Sequence, residues 1–161
     1  MRKVFLCCAV LMLTFAATSS GQDATASKHV VAKPADLKWG APPPVFEKGA
    51  SFTVISGNPG EAGLYVVRLK MPAGYRIAPH WHPADEHVTV ISGTFAVGMG
   101  EKFDKATMTE LPAGSYTLLP AEMRHYAMAK TAAIVQVHGM GPFKLTYVNP
   151  ADDPSTRSAA K

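Results

Sequence analysis

Two histidines and a glutamate near the middle of the chain have the side chains and the spacing of a metal site: His80, His82 and Glu86. On an extended strand, residues two apart share a face, so His80 and His82 point the same way. Pro79 and Pro83 flank the pair and favour an extended path over a helix. A short turn after Pro83 returns the chain, and Glu86 opens the next strand. Two imidazoles and one carboxylate can therefore converge on one divalent metal ion.

The spacing around these residues resembles the first motif of the cupin family. Five residues separate Gly74 from His80, and three separate His82 from Glu86. Six more residues precede Gly93, so every fixed position of that motif is filled.

A second stretch, beginning at Gly114, resembles the second cupin motif. Pro120 and His125 stand at the expected spacing. Two positions depart from the family pattern: Glu122 replaces the usual Gly, and Ala129 replaces the usual Asn. Both departures fall on a turn or a strand end rather than on a metal ligand.

The resemblance covers residues 52–148 and implies a single jelly-roll β-barrel of the double-stranded β-helix type. It also implies four metal ligands, which are His80, His82, Glu86 and His125. Three imidazoles and one carboxylate suit Fe(II), Mn(II), Ni(II), Co(II) or Zn(II). An octahedral ion held by these four side chains keeps open positions for substrate or dioxygen, whereas a tetrahedral zinc ion would be saturated.

The elements that must position these ligands are short strands. From residue 51 onward, segments rich in Val, Thr, Tyr and Phe alternate with Gly, Pro and Asn turns, which predicts an all-β sandwich or barrel. Helical periodicity is weak, and a single helical turn is expected near Glu101–Lys105. Because no internal duplication is present, we predict one barrel over residues 51–149. A flexible tail over residues 150–161 is expected to follow it.

Residues 1–20 have the features of a secretory signal. Arg2 and Lys3 give a positive start, an apolar run follows, and small residues end the segment. The run is shorter than the about 20 residues that a membrane-spanning helix needs. Cleavage would remove Cys7 and Cys8, the only two cysteines of the chain. We therefore predict an exported protein, periplasmic or extracellular; an uncleaved anchor and a buried N-terminal helix are the alternatives.

The charge balance argues against nucleic acid as a partner. The chain has 16 Lys and Arg against 12 Asp and Glu, a net charge of +4. Without the predicted signal, 14 basic residues remain against 12 acidic ones, a net of +2, and the basic residues form no cluster. We expect a small-molecule ligand or substrate, and no membrane contact after signal cleavage.

Residues 21–50 are polar, small and proline-rich, which predicts an extended N-terminal arm. Trp39 and Phe46 are its large apolar side chains. We expect them to cover an exposed edge of the barrel. In the alternative, the arm crosses to a second subunit of a homodimer.

Strand alternation also predicts which side chains face the barrel interior. Val88 shares the face of Glu86, whereas His87 points the other way and is expected at the surface or at a subunit contact. Ala127 shares the face of His125, and its small side chain would leave room behind the metal.

An enzyme also needs an acid or a base within hydrogen-bond reach of its substrate. The candidates, none of them placed by a motif, are Tyr75, Arg76, Glu122, Tyr126 and His138. Arg76 precedes the ligand strand and could hold a substrate carboxylate, or it could lie in solvent at the rim. His138 shares a face with Gln136, and we expect that face at solvent or an interface; the alternative places both side chains in the pocket.

Three functions are compatible with these features. The first is an exported metalloenzyme, an oxidoreductase or lyase with dioxygenase- or decarboxylase-like chemistry on a small organic molecule. The second is a non-catalytic protein that binds a small ligand or the metal itself. The third is a barrel in which the metal is purely structural, and a pocket filled by Met99, Met123 and Met128 would favour it.

Overall fold

The computed structural model describes residues 29–158. The predicted signal at residues 1–20, with both cysteines, lies outside the described residues. Within residues 29–158, no helix is long and apolar enough to cross a membrane.

Ten strands are the main regular elements of the described chain, as the all-β prediction requires. Their bounds are β1 Ser51–Ser56, β2 Gly63–Met71, β3 Arg76–Trp81, β4 Glu86–Ser92, β5 Thr94–Met99, β6 Thr109–Pro112, β7 Tyr116–Leu119, β8 His125–Ala129, β9 Ala133–Gly141 and β10 Thr146–Tyr147. Short 3-10 turns occur at Pro34–Asp36, Lys105–Thr107 and Pro150–Asp152, and a short α-helix spans Pro154–Ser158.

The strands form two five-stranded antiparallel sheets. The first sheet has the order β1-β2-β9-β4-β7, and the second has the order β10-β3-β8-β5-β6. Many neighbours are distant in sequence, as in β2 with β9 and β3 with β8. Apolar side chains from both sheets pack into one core between them. The architecture confirms the predicted cupin-type jelly roll.

Strand alternation separates the core from the outer faces. In β4, Val88 and Val90 are buried, whereas His87 lies half-buried on the outer face, as the alternation predicted. Strand β8 is different because every one of its residues is buried. The loop after β5 covers its outer side, where Phe103 packs against Tyr126.

The described part of the N-terminal arm, residues 29–50, lies along the barrel of its own chain. Gly40 and Phe52 exchange two backbone hydrogen bonds of 2.9 Å, so the arm protects the edge of β1. Trp39 lies at this edge, with the ammonium group of Lys70 4.7 Å from its ring centroid. Phe46 departs from the expected edge position and turns instead towards the barrel interior.

The single helical turn expected near Glu101–Lys105 is a 3-10 turn at Lys105–Thr107. Asp104 caps this turn by accepting a hydrogen bond from the backbone N–H of Ala106 at 2.9 Å. At the other end of the chain, Arg157 forms an ion pair with Glu47 of the arm. The predicted flexibility of the tail stays a prediction.

Candidate metal centre

Three histidines converge between the two sheets. His80 lies near the end of β3 and pairs across the strands with His125 at the start of β8. His82 follows β3 directly. One ligand atom from each imidazole lies within 4.8 Å of the other two. All three side chains are buried, with residue exposures of 3% for His80, 6% for His82 and 1% for His125.

Backbone carbonyls orient the three imidazole rings. The Nδ1 atom of His80 lies 2.7 Å from the carbonyl oxygen of Ala78, and that of His125 lies 2.9 Å from Met123. The Nδ1 atom of His82 lies 2.8 Å from the carbonyl oxygen of Lys144. A carbonyl oxygen only accepts, so each Nδ1 carries the proton and donates. In the neutral tautomer that donates from Nδ1, Nε2 keeps the lone pair that a metal ion binds.

Glu86 places its carboxylate beside two of these nitrogens. Its Oε2 atom lies 3.5 Å from Nε2 of His82 and 3.6 Å from Nε2 of His125. The Glu86 side chain is only 13% exposed. The structure thus brings all four sequence-predicted ligands to one point, with Glu86 adjacent to the three-histidine cluster.

Electrostatics favour the protonation states that a metal needs. Burial, with smaller contributions from His125 and His82, lowers the pKa of His80 to about 3. Burial alone would raise the pKa of Glu86, but the three histidines together outweigh it and lower that pKa to about 2. Near neutral pH, His80 is therefore neutral and Glu86 is ionised.

These residues fit a divalent transition metal. The Nε2 atoms of His82 and His125 are buried and have no hydrogen-bond partner among the described residues. Such orphaned acceptors are costly unless something binds them. A set of three imidazole nitrogens and one carboxylate suits the borderline ions iron, manganese, nickel, cobalt and zinc.

An internal cavity of about 40 Å³ lies against this cluster, and its walls are largely apolar. They come from both sheets and include Val67, Leu69, Val88, Phe95, Val97, Val135, Val137 and Leu145. Besides His80, Glu86 and His125, the one polar side chain among the described residues that line this cavity is Tyr65.

Tyr65 is a site residue that the sequence reasoning missed. It is 4% exposed, and its hydroxyl group makes no hydrogen bond to any described residue. Burial and then the charge of Glu86 raise its pKa well above the usual range, so the phenol keeps its proton. The alternation of side chains along β2 could have identified Tyr65 from the sequence, because Tyr65 shares a face with Val67 and Leu69, which are buried.

Two phenylalanines close the outer side of the cavity. Phe46 of the arm stacks on Phe143, with ring centroids 6.1 Å apart and planes inclined by 13°. Phe143 also meets Tyr65 edge-on at 6.1 Å and lies 5.4 Å from the ring of His82. The arm is thus part of the site rather than an edge cover alone.

Two buried tyrosines hold the arm on either side of Phe46. The Tyr147 hydroxyl donates to the carbonyl oxygen of Val45 at 2.7 Å, and the Tyr75 hydroxyl donates to that of Glu47 at 2.6 Å. Burial and the nearby charge of Glu47 raise the pKa of Tyr75 to about 12. The candidate catalytic residue Tyr75 therefore lies at the arm, with its hydroxyl group already bonded.

The other sequence-based candidates also lie outside the cavity lining. Arg76 is exposed on the outer face of the second sheet, with its guanidinium 5.2 Å from the ring centroid of Phe103. Tyr126 faces the same side, and its hydroxyl group lies 2.8 Å from that of Thr107. His138 lies on the outer face of the first sheet. Their catalytic roles stay predictions, without support from position.

Glu122 occupies a turn in which its φ is +62°. Glycine adopts this left-handed conformation without a steric penalty, which explains the usual Gly at this motif position. The Glu122 side chain is exposed, and its backbone N–H donates to the carbonyl oxygen of His82 at 2.8 Å. Of the methionines considered as cavity fillers, Met99 and Met123 are exposed, and Met128 is buried outside the cavity lining.

Several solved structures share this fold. The polyketide cyclase RemF from Streptomyces resistomycificus is 14% identical, with a TM-score of 0.66 over 82% of this chain and 94% of RemF. A putative acetylacetone dioxygenase from Methylibium petroleiphilum is 20% identical, with a TM-score of 0.60 over 82% and 94%. A salicylate 1,2-dioxygenase from Pseudaminobacter salicylatoxidans is 16% identical, with a TM-score of 0.52 over 65% and 32%. At these identities, the likeness shows the fold alone.

Sequence similarity is more specific. No protein with a curated description matches the chain. A family model, the ChrR cupin-like domain (Cupin_7), matches residues 27–144, a span that contains all four sequence-predicted ligands. The chain therefore belongs to the ChrR cupin-like domain family, within the cupin superfamily.

Proposed function

We propose that this protein is an exported metal-dependent oxidoreductase with dioxygenase-like chemistry on a small, mostly apolar molecule that carries an oxygen function. One observation carries the proposal: the carboxylate of Glu86 and two of the three oriented imidazoles, those of His80 and His125, border a largely apolar cavity. Two of the structural neighbours described above are named as dioxygenases, which supports this class of reaction. The predicted signal at residues 1–20 supports export.

His80, His82 and His125, through their Nε2 atoms, and Glu86 would hold the ion. When bound, a redox-active divalent ion supplies Lewis-acid polarisation and electron transfer. The chain itself fixes the ligand orientation in advance, because three backbone carbonyls hold the imidazoles.

The cavity walls define the substrate. Among the described residues that line it, none is a lysine or an arginine, so a charged group remote from the metal would find no partner. Valine, leucine and phenylalanine side chains would bind an apolar body and exclude water. We therefore favour a neutral phenol or ketone over a substrate that carries a charged group remote from the metal.

Tyr65 would orient such a substrate. Its phenol proton stays on the hydroxyl oxygen near neutral pH, because burial and Glu86 raise the pKa. A protonated hydroxyl group at the cavity wall can donate a hydrogen bond to a substrate oxygen. This role needs no proton transfer from Tyr65.

Access requires movement of the lid, by which we mean Phe46 and Phe143. A cavity of about 40 Å³ holds only a few water molecules, too little space for an organic substrate. Phe46 lies on the arm, so lifting the arm would enlarge the cavity without opening either sheet.

The small cavity also favours a second candidate, a metal with a purely structural role. Titration of the Co(II)-loaded protein with azide, followed by absorption spectroscopy, separates the two. A catalytic site with open positions responds to azide, whereas an unchanged spectrum at saturating azide would leave the structural role.

Oxygen consumption by the Fe(II)-loaded protein with a panel of neutral phenols and ketones then tests the reaction. Tyr65→Phe should retain the metal and weaken substrate binding by roughly 2- to 10-fold, the equivalent of one hydrogen bond. Tyr126→Phe is the matched control, because that tyrosine is equally buried but faces away from the cavity. Equal effects of both variants would contradict the role of Tyr65.

A further inference from the structure

Two histidines outside the central cavity form a pair on the outer face of the first sheet. His87 of β4 and His138 of β9 are cross-strand partners in register. Their rings lie nearly parallel, with centroids 4.7 Å apart and planes inclined by 9°. The central metal cluster uses neither residue.

Both imidazoles of this pair can present a lone pair. The Nδ1 atom of His87 lies 2.7 Å from the Tyr116 hydroxyl oxygen. When Nδ1–H donates to that oxygen, Nε2 of His87 keeps its lone pair. Burial, followed by the neighbouring His87, lowers the pKa of His138, so this ring stays neutral to lower pH than a solvated imidazole. Neither ring has a salt bridge within the described chain.

A thioether lies on the same face. Met140 follows His138 by two residues on β9, and alternation puts both side chains on one side of the sheet. Met140 is 59% exposed, so its thioether is accessible from solvent. Together with His87, these two residues line a surface cavity of about 320 Å³.

The reach of these side chains is compatible with one shared ion. Directly opposed residues in a sheet have Cβ atoms about 5 Å apart, and residues two apart on one strand lie about 7 Å apart. Imidazole and thioether groups extend far enough from Cβ to meet between such positions by rotamer changes alone.

From this arrangement we infer that His87, His138 and Met140 form a second metal site, on the outer face of the first sheet, that takes cuprous copper. Imidazole binds zinc, copper, iron and nickel, whereas a thioether selects soft ions such as Cu(I). Copper is the ion that both ligand types favour. The ligands are neutral, so a monovalent ion enters without displacing a proton from the metal-binding atoms.

Anaerobic titration with Cu(I) against bicinchoninate tests this site on the full chain carrying its central metal. The wild type should bind one Cu(I) more than His138→Ala. Met140→Leu keeps the apolar shape but removes the sulfur atom. We expect it to weaken copper binding by at least about tenfold, because losing a residue that merely hydrogen-bonds to a metal ligand already has an effect of that size. The methyl NMR signal of Met140 should shift on copper addition.

Gln136→Ala is the matched control, because Gln136 lies on the same strand and face two residues before His138. It should bind copper as the wild type does. The thermal midpoint and central metal content of each variant show whether it is folded. Unchanged copper stoichiometry in folded His138→Ala would overturn the site. Wild-type copper affinity in Met140→Leu, or equally tight binding of Zn(II) by the wild type, would overturn the assignment to Cu(I).

Discussion

Phe46 and Phe143 stack across the mouth of the central cavity, with ring centroids 6.1 Å apart, although 97 positions of sequence separate them. One ring comes from the N-terminal arm and the other from the connection between β9 and β10. The carbonyl groups on either side of Phe46 are held by two buried tyrosines. The arm therefore connects access to the metal with two tyrosine hydrogen bonds outside the cavity lining, one of them made by Tyr147, the cross-strand partner of His80.

The first prediction concerns this lid. Tyr75→Phe combined with Tyr147→Phe removes two hydrogen bonds to the arm, each worth about 1 kcal/mol. We expect faster amide hydrogen exchange over residues 41–48 and faster azide binding to the Co(II)-loaded protein. Tyr126→Phe, whose hydroxyl group contacts a loop rather than the arm, is the control. Unchanged exchange and binding rates in the double variant would show that the arm does not limit access.

A second prediction contrasts two histidines with different positions. His125→Ala removes a buried imidazole of the central cluster, and we expect affinity for the central metal to fall at least about tenfold. His87→Ala changes the outer face and should leave the content of iron, manganese, nickel, cobalt and zinc near that of the wild type. Elemental analysis of both purified variants measures this. Equal loss from the two would mean that His87 contributes to the central site.

The third prediction concerns pH and the metal-free protein. Burial lowers the pKa of His80 from 6.5 to about 3, so between these values the unfolded chain binds a proton that the folded chain does not. Above pH 6.5, the His80 side chain is neutral in both states and its titration costs the folded state nothing. As pH falls from 6.5 towards 3, the unfolded chain gains a proton that the folded chain does not, so the free energy of unfolding decreases. Glu86 acts with the same sign below pH 4.5, because its pKa falls to about 2.

We therefore expect the urea midpoint of the metal-free protein to decrease steadily from pH 6.5 to pH 3. His80→Gln removes one titrating group and should give a shallower decrease between pH 6.5 and pH 4.5. A wild-type midpoint that stays constant over this range would show that His80 is accessible to protons in the folded state.

The fourth prediction is export. The positive start, apolar run and small-residue end of residues 1–20 predict cleavage and a mature chain that begins near Gly21. Intact-mass measurement on the protein isolated from its native host is decisive. Recovery of the full-length chain from the cytoplasm would refute export.

Three of the four ligands were predictable from local geometry, because His80, His82 and Glu86 lie close together in the chain, whereas the prediction of His125 rests on the resemblance to the second cupin motif. Alternation puts His80 and His82 on one face of their strand, and it puts Glu86 and Val88 on one face of the next strand. Both assignments hold wherever the two strands pack. The glycine and proline turns then set the strand lengths. For the same reason, the outward position of His87 and the all-β class followed from pattern alone.

Other features depended on tertiary structure. Tyr65 was recognisable as an inward-facing residue, but only the pairing of β2 with β9, and of β9 with β4, places it near Glu86. Tyr75 has the same functional group and precedes the ligand strand, yet its hydroxyl group bonds the arm. Sequence spacing alone does not distinguish these two tyrosines, because their partners lie on segments distant in the chain.

By itself, the sequence determined which side chains could bind a metal: spacing, alternation and turn residues act over a few positions and indicate His80, His82 and Glu86, and the resemblance to the second cupin motif adds His125. Only the tertiary structure decided what surrounds that metal: an apolar cavity with Tyr65 in its wall and a lid made by Phe46 and Phe143. Those neighbours meet through contacts between distant segments, and such contacts form where the packing of the whole core brings the segments together.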